Sequence, residues 1–580
     1  MRFSARLFLL SFAMAAGLLL VSYSAINSSA QSTQQKDYKL MRLFPVDAQS
    51  SVTFDESVIA NPLLDLSQGR PLVIVPRSNG VITTLDGETG NQEWQINVPV
   101  PKGQETQLIS TPVKIANKLV ILYQCLEKGV RTSHRMAVLD LAQKKFDEAF
   151  PVLELSAERP SADGGSTVKF NPPTAFSHSA LKHTWKVGTE WGLVYAAFGN
   201  AGDTQPFHGW LFEIDMDAWK QHDIKRAISN VLLTTPESEC PVTIESGTQE
   251  MICGGGIWTP AGPQLYPTAD DKSVELFVPV GNGQVDLARH DYANTLMRVQ
   301  PGLKFDPECD DNLCKNFNPS QPDYACMSSC KNLFIPRLPE EIIFFKPANG
   351  ECDNKSFWEC LAWMDYDLGA SAPVKATLKS GHNVLVQPGK EGAVYLLDAD
   401  HLGTQYDRVQ LVDLCGTASD PCRAGWMGMT VTQPALAYIN EEPVIVIPTF
   451  MPDKTHPAGL FALKVVLEGG KPKLKRFWQF PDPASSAAIK KFRSHPSLPV
   501  ISTLGDNNDA IVWTVDIGNP GTLYGIRVKD GAVLVGQPLM GTGRQLSAPL
   551  IEGNTIYLAS TLAGTGKAMV EAYRIVMKDQ

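Results

Sequence analysis

The stretch Leu85-Asp86-Gly87-Glu88-Thr89-Gly90, followed by Trp94, has the pattern of a β-strand, a tight turn and an outgoing strand. Its Asp-Gly and Thr-Gly pairs suit a hairpin turn, because Gly adopts positive φ without a Cβ clash. Seven weaker copies of this pattern follow along the chain. They lie at Leu139-Asp140, Ile214-Asp215, Met297-Arg298, Leu397-Asp398, Leu463-Lys464, Ile526-Arg527 and Tyr573-Arg574. The chain is therefore predicted to contain eight repeats.

A second signature combines a small residue, any residue, Pro and an apolar residue, and is followed by a β-branched run. Four copies are Ser110-Thr111-Pro112-Val113, Ser371-Ala372-Pro373-Val374, Thr432-Gln433-Pro434-Ala435 and Ser547-Ala548-Pro549-Leu550. Repeats of this kind, with turn signals throughout and few stretches of helical period, indicate an all-β protein.

The two signatures together predict an eight-bladed β-propeller over residues 31–580. A four-stranded blade needs about 40 to 50 residues, so the longer spacings must lie in loops. Radial repetition leaves few exposed sheet edges. We expect strands from both ends of the chain to complete one blade. Two β-sandwich domains are the alternative, which eight copies of one pattern disfavour.

The N-terminus, residues 1–30, has the features of a secretory signal peptide. Arg2 and Arg6 precede an apolar run from residue 7 to 21, and Ser28-Ser29-Ala30 offers small residues for cleavage. An uncleaved anchor is the alternative, because residues 7–25 are almost long enough to span a bilayer. A periplasmic or secreted protein is expected. The net charge of -10 argues against a nucleic-acid partner, since binding phosphates requires a basic face.

Eleven cysteines in an exported chain predict disulfides. Cys240 with Cys253, and Cys415 with Cys422, are local candidate pairs. Six more crowd a predicted loop insertion, residues 303–360, and their pairing stays open among 15 possibilities. They are Cys309, Cys314, Cys326, Cys330, Cys352 and Cys360. A zinc site is the alternative, although the spacings lack the two-residue knuckle of most structural zinc sites. Cys125 is left as a buried free thiol.

Several motifs occur in the order typical of one protein family. Tyr195-Ala196-Ala197-Phe198-Gly199 leads to Phe207-His208-Gly209-Trp210, and Gly254-Gly255-Gly256-Ile257-Trp258 leads to Val280-Gly281-Asn282-Gly283. Asp365-Tyr366-Asp367-Leu368-Gly369-Ala370 is followed by Gly389-Lys390-Glu391-Gly392. With residues 85–94, these motifs resemble the pyrroloquinoline quinone (PQQ) dependent dehydrogenases and related quinoprotein-like propellers. The resemblance covers most of the chain outside the Cys-rich insertion and implies the eight-bladed quinoprotein-type propeller.

The resemblance also implies a site. Asp365 would be the general base that takes the substrate hydroxyl proton, and Lys390 would be the cation beside the quinone oxygens. Trp258 would form the floor under the cofactor ring. A calcium or lanthanide ion would be bound by oxygen ligands. The candidate ligands are Asn282, Asp203, Asp365 and Asp367, and the second aspartate of Asp365-Tyr366-Asp367 resembles the lanthanide-binding members.

Each of these residues also has a structural interpretation. Asp365 or Asp367 can be a turn residue, and Lys390 can be a solvated lysine at a hairpin tip. Asn282 can occupy left-handed backbone geometry, and Trp258 can fill a gap between blades. The sequence also departs from the family. It has no adjacent cysteine pair, Asp203 stands near the position of a longer carboxylate, and Met364 replaces a Trp.

The leading hypothesis is a PQQ-dependent dehydrogenase that oxidises an alcohol, aldehyde or sugar. No Cys-x-x-Cys-His occurs, so electrons would pass to a separate acceptor such as a soluble cytochrome. The alternative is a noncatalytic propeller that binds an exported protein or a polysaccharide. A hydrolase is a third hypothesis, which the absence of Gly-x-Ser-x-Gly and His-Glu-x-x-His motifs disfavours.

Overall fold

A computed structural model describes residues 38–577 with internal gaps. The gaps are residues 48, 49, 51, 201–206, 237–243, 246, 247, 250–253, 269, 284, 319–322, 337–365, 413–432, 451–456, 483–491, 504–508, 545 and 546. The description that follows concerns the residues between these gaps, and for 244, 245, 248 and 249 the backbone alone.

Eight antiparallel sheets of four to six strands follow one another along the described chain, and each of them is one blade of a propeller. Edge strands of blades 2, 3 and 8 are split into two segments. The strands of blade 1 are Leu63–Asp65, Leu72–Pro76, Val81–Asp86 and Gln92–Asn97. Those of blade 2 are Glu105–Gln107 with Val113–Ile115, Lys118–Glu127, Val130–Asp140, and Lys145–Phe146 with Leu153–Glu154. Those of blade 3 are Ala175–Phe176 with Lys182–Thr184, Leu193–Asn200, Trp210–Asp215 and Ile228–Leu233. Those of blade 4 are Gln264–Pro267, Val274–Pro279, Leu296–Val299 and Leu333–Phe334.

The second half of the chain continues the same order. Blade 5 contains Val374–Thr377, Asn383–Pro388, Ala393–Asp398 and Gln405–Gln410. Blade 6 contains Ala435–Ile439, Glu442–Thr449, Gly459–Glu468 and Lys471–Phe480. Blade 7 contains Val500–Thr503, Ala510–Asp516, Thr522–Arg527 and Val533–Pro538. Blade 8 contains Gly541–Gly543 with Leu550–Glu552, Thr555–Leu562, Ala568–Met577, and Tyr38–Phe44 with Thr53–Phe54. The predicted eight-bladed propeller is confirmed.

Few other elements are present among the described residues. The helices are short: Met216–Lys220, Ile224–Ala227, Asp311–Cys314 and Tyr324–Ser329, with a 3₁₀ turn at Leu368–Ala370. Three hairpins lie outside the blades, formed by Glu158–Pro160 with Thr167–Lys169, Ile244–Glu245 with Thr248–Gln249, and Val285–Asp286 with Asp291–Tyr292. No helix in the described part of the chain is long and apolar enough to cross a membrane.

The motif around Asp86 forms the turn that follows the third strand of a blade. One Asp86 carboxylate oxygen accepts hydrogen bonds from the backbone N–H of Glu88 at 3.0 Å and of Thr89 at 2.8 Å. These bonds close the turn, which Gly90 leaves at φ 74°. All eight predicted copies lie in the third strand of a different blade. The prediction that each motif marks one blade is confirmed.

The second signature marks where each blade begins. In the structure, a first strand, or the second segment of a split first strand, starts at Leu63, Val113, Lys182, Gln264, Val374, Ala435, Val500 and Leu550. We call each such residue and the three before it a junction. The third junction residue is Pro in seven blades and Leu181 in blade 3. Four junctions are additional to those found in the sequence analysis: residues 60–63, 179–182, 261–264 and 497–500.

Junctions are hydrogen-bonded to one another around the ring. Ala548 N–H donates to Asn61 Oδ1 at 3.0 Å, and Asn61 N–H donates to Thr111 Oγ1 at 3.0 Å. Leu181 N–H donates to the Thr111 carbonyl at 3.0 Å. These bonds tie blades 8, 1, 2 and 3 together. The junctions therefore form the inner rim of the propeller, where backbone groups that leave one sheet are satisfied by the next blade.

The hydrophobic core is divided among the interfaces between blades. A separate cluster of buried side chains fills each neighbouring pair of blades, including the pair formed by blades 8 and 1. Trp94 of the first motif packs against the cluster between blades 1 and 2. Middle strands such as Leu72–Pro76 are buried on both faces, whereas the fourth strand Gln92–Asn97 is largely exposed.

Part of the Cys-rich segment is an excursion between the third and fourth strands of blade 4. The disulfides Cys309–Cys330 and Cys314–Cys326 staple it internally, which favours disulfides over the zinc alternative. The predicted boundaries, 303–360, need correction, because Leu333–Phe334 inside that range is the fourth strand of the blade and pairs with Leu296–Val299. A strand of two residues has no periodicity that a sequence pattern could reveal.

Several predictions fall on residues outside the described ranges. They concern the signal peptide 1–30, the pairs Cys240–Cys253 and Cys415–Cys422, and the partners of Cys352 and Cys360. Cys125 is described, and it is a buried free thiol as predicted.

Blade 8 closes the ring with strands from both ends of the chain, as predicted. Tyr38–Phe44 pairs antiparallel with Ala568–Met577, with Leu40 opposite Ile575. Beside this seam, the buried Glu571 carboxylate accepts hydrogen bonds from Tyr573 Oη at 2.6 Å, Ser560 Oγ at 2.8 Å and Met540 N–H at 3.0 Å. Arg42 of the N-terminal strand donates to Tyr573 Oη at 3.1 Å. A fully satisfied polar network thus supports the closure.

His134 is a buried histidine whose ionisation makes the stability of the folded chain depend on pH. Its ring lies against Phe170 and Phe198, at centroid distances of 5.6 and 4.9 Å. Burial lowers the pKa of His134 from 6.5 to about 4, because the imidazolium loses its hydration in this apolar setting. The folded chain therefore keeps His134 neutral at pH values where the unfolded chain protonates it.

We predict that Glu571→Leu destabilises the closure by about 3 kcal/mol, because the donors bonded to its carboxylate lose their acceptor, among them the buried hydroxyls of Ser560 and Tyr573. Urea unfolding followed by tryptophan fluorescence measures the change. Glu552→Leu, at an exposed position of the same blade, is the matched control and should change stability by less than about 0.5 kcal/mol. Equal effects of the two substitutions would contradict the role assigned to the network.

We further predict that stability falls as the pH drops from about 6.5 to about 4, since the unfolded state binds more protons in this window. His134 alone contributes up to about 3 kcal/mol of this loss. The His134→Phe variant should flatten the pH dependence of the urea midpoint by that amount. His222→Phe, which removes an exposed histidine, should leave the slope unchanged. An unaltered slope in His134→Phe would show that the acid sensitivity arises elsewhere.

Candidate functional site

The candidate site is formed by loops at one end of blades 4 and 5. Trp258 precedes the first strand of blade 4, and Asn282 follows its second strand. Asp367 and Lys390 occupy the equivalent loops of blade 5. In an antiparallel sheet the start of the first strand and the end of the second lie at the same edge. The four residues are therefore brought to one end of the propeller by topology alone.

Trp258, Asp367 and Lys390 form a compact triad. The indole Nε1–H of Trp258 donates to Asp367 Oδ1 at 3.0 Å, and the ammonium of Lys390 lies 3.5 Å from Asp367 Oδ2. The same ammonium lies 5.0 Å from the centroid of the Trp258 ring, within cation–π range. Asp367, which was predicted as a metal ligand, therefore contacts both Trp258, the predicted floor under the cofactor, and Lys390, the predicted cation.

The charges of this triad are buried while the indole is not. The side chains of Asp367 and Lys390 are 1% and 2% exposed, whereas Trp258 is partly exposed. Removing two charges from water costs several kcal/mol per ion, which close pairing and hydrogen bonds must offset. The Trp258 donor provides one of these hydrogen bonds. Lys390 is therefore not a solvated hairpin lysine, and Asp367 is more than a turn residue.

The backbone holds Asp367 and Lys390 in place. Lys390 N–H donates to the Asp367 carbonyl at 3.3 Å, and the hairpin after it closes through Gly392 N–H to the Gly389 carbonyl at 2.9 Å. Leu368 N–H donates to Asn294 Oδ1 at 2.8 Å. Asn294 belongs to blade 4, so it fixes the start of the Asp367 loop against the neighbouring blade.

Asn282 lies beside the triad because two loops approach closely. Gly281 packs against the indole edge: a Cβ there would stand 3.1 Å from Trp258 Cδ1. A Cβ on Gly369 would stand 2.5 Å from Gly281 N, so only Gly allows blades 4 and 5 to meet here. Asn282 follows Gly281 directly, is 4% exposed, and accepts a bond from Gly255 N–H on its backbone carbonyl at 2.6 Å.

Blades 6 and 7 contribute aromatic groups that the sequence analysis missed. Phe450 directly follows the second strand of blade 6 and clusters with Ala370 and Trp258. His495 stacks on Phe450 at a centroid distance of 4.1 Å and an interplanar angle of 16°. Its Nδ1 lies 2.9 Å from the Pro496 carbonyl, and burial lowers the pKa of His495. The neutral imidazole of His495 thus packs against Phe450, which in turn packs against Trp258 of the site.

A positional rule could have found these residues. Trp258, Asp367 and His495 lie two to four residues before a junction, and Phe450 directly follows a second strand. The rule requires the junctions of blades 4 and 7, which the sequence analysis did not identify. Of the predicted site residues, the structure brings Trp258, Asn282, Asp367 and Lys390 together. Asp203 and Asp365 lie outside the described residues.

Comparisons with known proteins bear on the fold. None of the protein-family models matches this sequence, and none of the curated proteins does. Among solved structures, a quinohemoprotein alcohol dehydrogenase from Pseudomonas putida HK5 is similar, with 12% identity, a TM-score of 0.50, and coverage of 90% of this chain and 75% of that one. A quinohemoprotein alcohol dehydrogenase from Comamonas testosteroni has 11% identity and a TM-score of 0.50, with coverage of 93% and 76%. BamB from Moraxella catarrhalis has 11% identity, a TM-score of 0.42, and coverage of 92% and 100%.

The two likenesses with a TM-score of 0.50 define the class of fold to which the chain belongs. The chain is an eight-bladed β-propeller that resembles the quinohemoprotein alcohol dehydrogenases in architecture. At 11 to 12% identity the likeness extends to the fold alone, because one fold hosts many functions. Function must be argued from the site.

We predict that Lys390→Met destabilises the protein by about 4 kcal/mol, because the Asp367 carboxylate stays buried without its cation. Adding Asp367→Leu to that variant should restore most of the loss, since no uncompensated charge remains. Urea unfolding of both single variants and the double variant gives the coupling.

The control is Lys169→Met, which breaks an ion pair with Glu158 whose partners are both more than half exposed. This variant should lose less than about 1 kcal/mol. The buried-pair interpretation is wrong if Lys390→Met costs no more than Lys169→Met, or if the second substitution adds to the first.

Proposed function

We propose that this protein is an exported quinoprotein dehydrogenase that oxidises an alcohol, aldehyde or sugar. The observation that carries the proposal is the convergence of Trp258, Asp367 and Lys390 at one end of blades 4 and 5, beside Asn282. An aromatic face, a carboxylate, a cation and a neutral amide seldom share a buried site without a ligand to bind.

The residues present suit PQQ with a hard metal ion. The partly exposed Trp258 face offers a stacking surface for a planar ring, and Lys390 offers a cation for an anionic oxygen. The carboxylate of Asp367 and the amide of Asn282 are the oxygen ligands that calcium or a lanthanide prefers. Bound PQQ would supply the capacity to accept the two electrons of an alcohol oxidation. Asp203 and Asp365 complete the proposed ligand set.

The chain's own residues have distinct tasks in this proposal. Asp365 accepts the proton of the substrate hydroxyl, while Lys390 stabilises negative charge that develops beside it. Asp367 positions both Lys390 and Trp258, because it is bonded to each of them. Burial of the charged pair excludes water and strengthens these interactions. Electrons leave to a separate acceptor, proposed to be a soluble cytochrome.

One observation favours a noncatalytic alternative. In the triad, Asp367 is paired with Lys390 and hydrogen-bonded to Trp258, and these contacts join blades 4 and 5. The triad can therefore have a purely structural role. In that case the protein is a binding scaffold for an exported protein or a polysaccharide. Neither function involves nucleic acid, as the net charge of -10 indicates.

The test is equilibration of the purified protein with PQQ and either Ca²⁺ or La³⁺, followed by difference absorbance of the bound quinone. We expect one equivalent to bind and to quench tryptophan emission. Trp258→Phe should weaken binding by about tenfold or more, by loss of the stacking surface. Trp219→Phe, which alters a fully buried Trp elsewhere, should bind as the parent does. Absence of a bound quinone with either metal rejects the dehydrogenase and leaves the scaffold.

Dye reduction with primary alcohols, aldehydes and sugars then tests the roles. Asp365→Asn should retain PQQ binding and lose turnover by about 10²-fold or more. Asp367→Asn should weaken PQQ binding by about tenfold or more, because Lys390 loses its orientation. Normal turnover in Asp365→Asn excludes that residue as the base. Unchanged PQQ affinity in Asp367→Asn excludes its positioning role.

A further inference from the structure

A hairpin outside the blades forms one wall of a cavity on blade 3. The hairpin is formed by Glu158–Pro160 with Thr167–Lys169, and it lies between blade 2 and blade 3 in the chain. Arg159 of this hairpin donates through Nε and Nη2 to the Val231 carbonyl of the fourth strand of blade 3, at 3.0 and 2.7 Å. These bonds hold the hairpin against the blade.

The cavity measures about 230 Å³ and lies between the hairpin and the start of the third strand of blade 3. Val168, Ala175 and Trp210 line it and also belong to the buried cluster between blades 2 and 3. That side of the cavity is therefore fixed by the core. Pockets for drug-sized ligands measure about 300 to 1,000 Å³. This smaller cavity suits a ligand such as a single substituted six-membered ring.

Aromatic residues form the inner side of the cavity. Phe207 and Trp210 line it and are 3% and 2% exposed. No described residue accepts a hydrogen bond from the indole N–H of Trp210. Leaving a donor of a buried side chain without an acceptor is unfavourable. Because the rest of Trp210 is covered by protein, a molecule in the cavity is within reach of this donor.

His208 brings a hydrogen-bond acceptor to the lining of the cavity. Its Nδ1 lies 2.7 Å from the Thr235 carbonyl, so Nδ1 carries the proton and Nε2 is the acceptor of the neutral ring. Burial lowers the pKa of His208, which keeps the ring neutral near neutral pH. The hydroxyl and amide side chains of Thr167, Asn171 and Thr174 add further donors and acceptors to the lining.

The charge of the lining is already balanced. Lys169 is the one lysine, arginine or carboxylate residue that lines the cavity, and its ammonium lies 3.0 Å from Glu158. An anionic ligand would compete with Glu158 for this cation, and a cationic ligand would find no carboxylate in the lining. The lining therefore favours a neutral ligand that has an apolar face and several hydrogen-bonding groups.

We infer that this cavity binds one pyranose unit of a neutral carbohydrate. The C–H groups of a pyranose ring pack on Phe207 and Trp210, and its hydroxyls both donate and accept. One hydroxyl accepts from the Trp210 indole, and another donates to His208 Nε2. The cavity lies on blade 3, whereas the triad belongs to blades 4 and 5. The inference goes beyond the proposed function and does not depend on it, because neither PQQ nor the triad takes part.

The test is calorimetric titration of the purified protein, without PQQ or added metal. The probes are methyl β-D-glucopyranoside, methyl β-D-galactopyranoside and methyl α-D-mannopyranoside. At least one of them should bind at one site, about tenfold or more tightly than cyclohexanol or glycerol. Cyclohexanol presents the ring without most of the hydroxyls, and glycerol presents hydroxyls without the ring. If no glycoside binds more tightly than cyclohexanol, the inference is overturned, and the outcome of the PQQ titration is unaffected.

A variant of Trp210 locates the glycoside in the cavity. Trp210→Phe keeps an aromatic ring but removes the indole N–H, and it should lower glycoside affinity by about tenfold or more. Trp185→Phe is the matched control, because Trp185 follows the first strand of the same blade, is 61% exposed and lies outside the cavity lining. This control should bind the glycoside as the parent does. Parent-like affinity in Trp210→Phe would place the glycoside elsewhere and overturn the inference.

A second variant changes the rim of the cavity and leaves the core untouched. Asn171 is exposed, so Asn171→Ala should fold as the parent does and should lower glycoside affinity by about threefold or more, through loss of the amide. Asn316→Ala, at an exposed position of the Cys-rich segment, is its control and should bind as the parent does. Should Trp210→Phe fail to fold, Asn171→Ala decides in its place, and equal affinity of Asn171→Ala and Asn316→Ala then overturns the inference.

Discussion

Every blade depends on the blade beside it, because each sheet is covered only where its neighbour packs against it. Middle strands such as Leu72–Pro76 are buried on both faces, and a lone four-stranded sheet cannot bury them. The ring must close for all eight interfaces to exist. Tyr38–Phe44 closes it by pairing with Ala568–Met577, so the last interface joins residues more than 500 positions apart. Radial repetition also leaves few exposed sheet edges that could pair with other chains.

The same constraint explains why polar chemistry collects near the axis. Loops before the first strand and after the second strand end at the inner rim, where neighbouring blades crowd together. Backbones meet there at Gly281 and Gly369, and polar side chains can be enclosed only if they bond across blades. Asp367 does so with Trp258, and Asn294 does so with the Leu368 backbone. Burial at the rim thus favours polar residues that form hydrogen bonds from one blade to the next.

The repeat could be predicted from sequence because its strongest copy has local causes. The turn after Asp86 is fixed by hydrogen bonds to residues two and three positions on. Strand Leu333–Phe334 could not be predicted, since it is held by pairing with a strand more than 30 residues earlier in the chain. The junction at residues 179–182 lacks the Pro on which the pattern depended. Likewise, sequence places Asp365 and Asp367 equally near the site and cannot say which carboxylate is bonded to Trp258.

The triad has a consequence for how a ligand would enter. Lys390 and Asp367 satisfy each other, so the site does not need a ligand in order to fold. An anionic ligand that approaches Lys390 must share this cation with Asp367, and a metal that binds Asp367 must share this carboxylate with Lys390. When a metal and an anion bind together, the metal replaces Lys390 as the partner of Asp367, and the anion replaces Asp367 as the partner of Lys390. A buried ion pair of this kind disfavours either ligand alone and favours the two in combination, which is the combination that a metal-assisted quinone site requires.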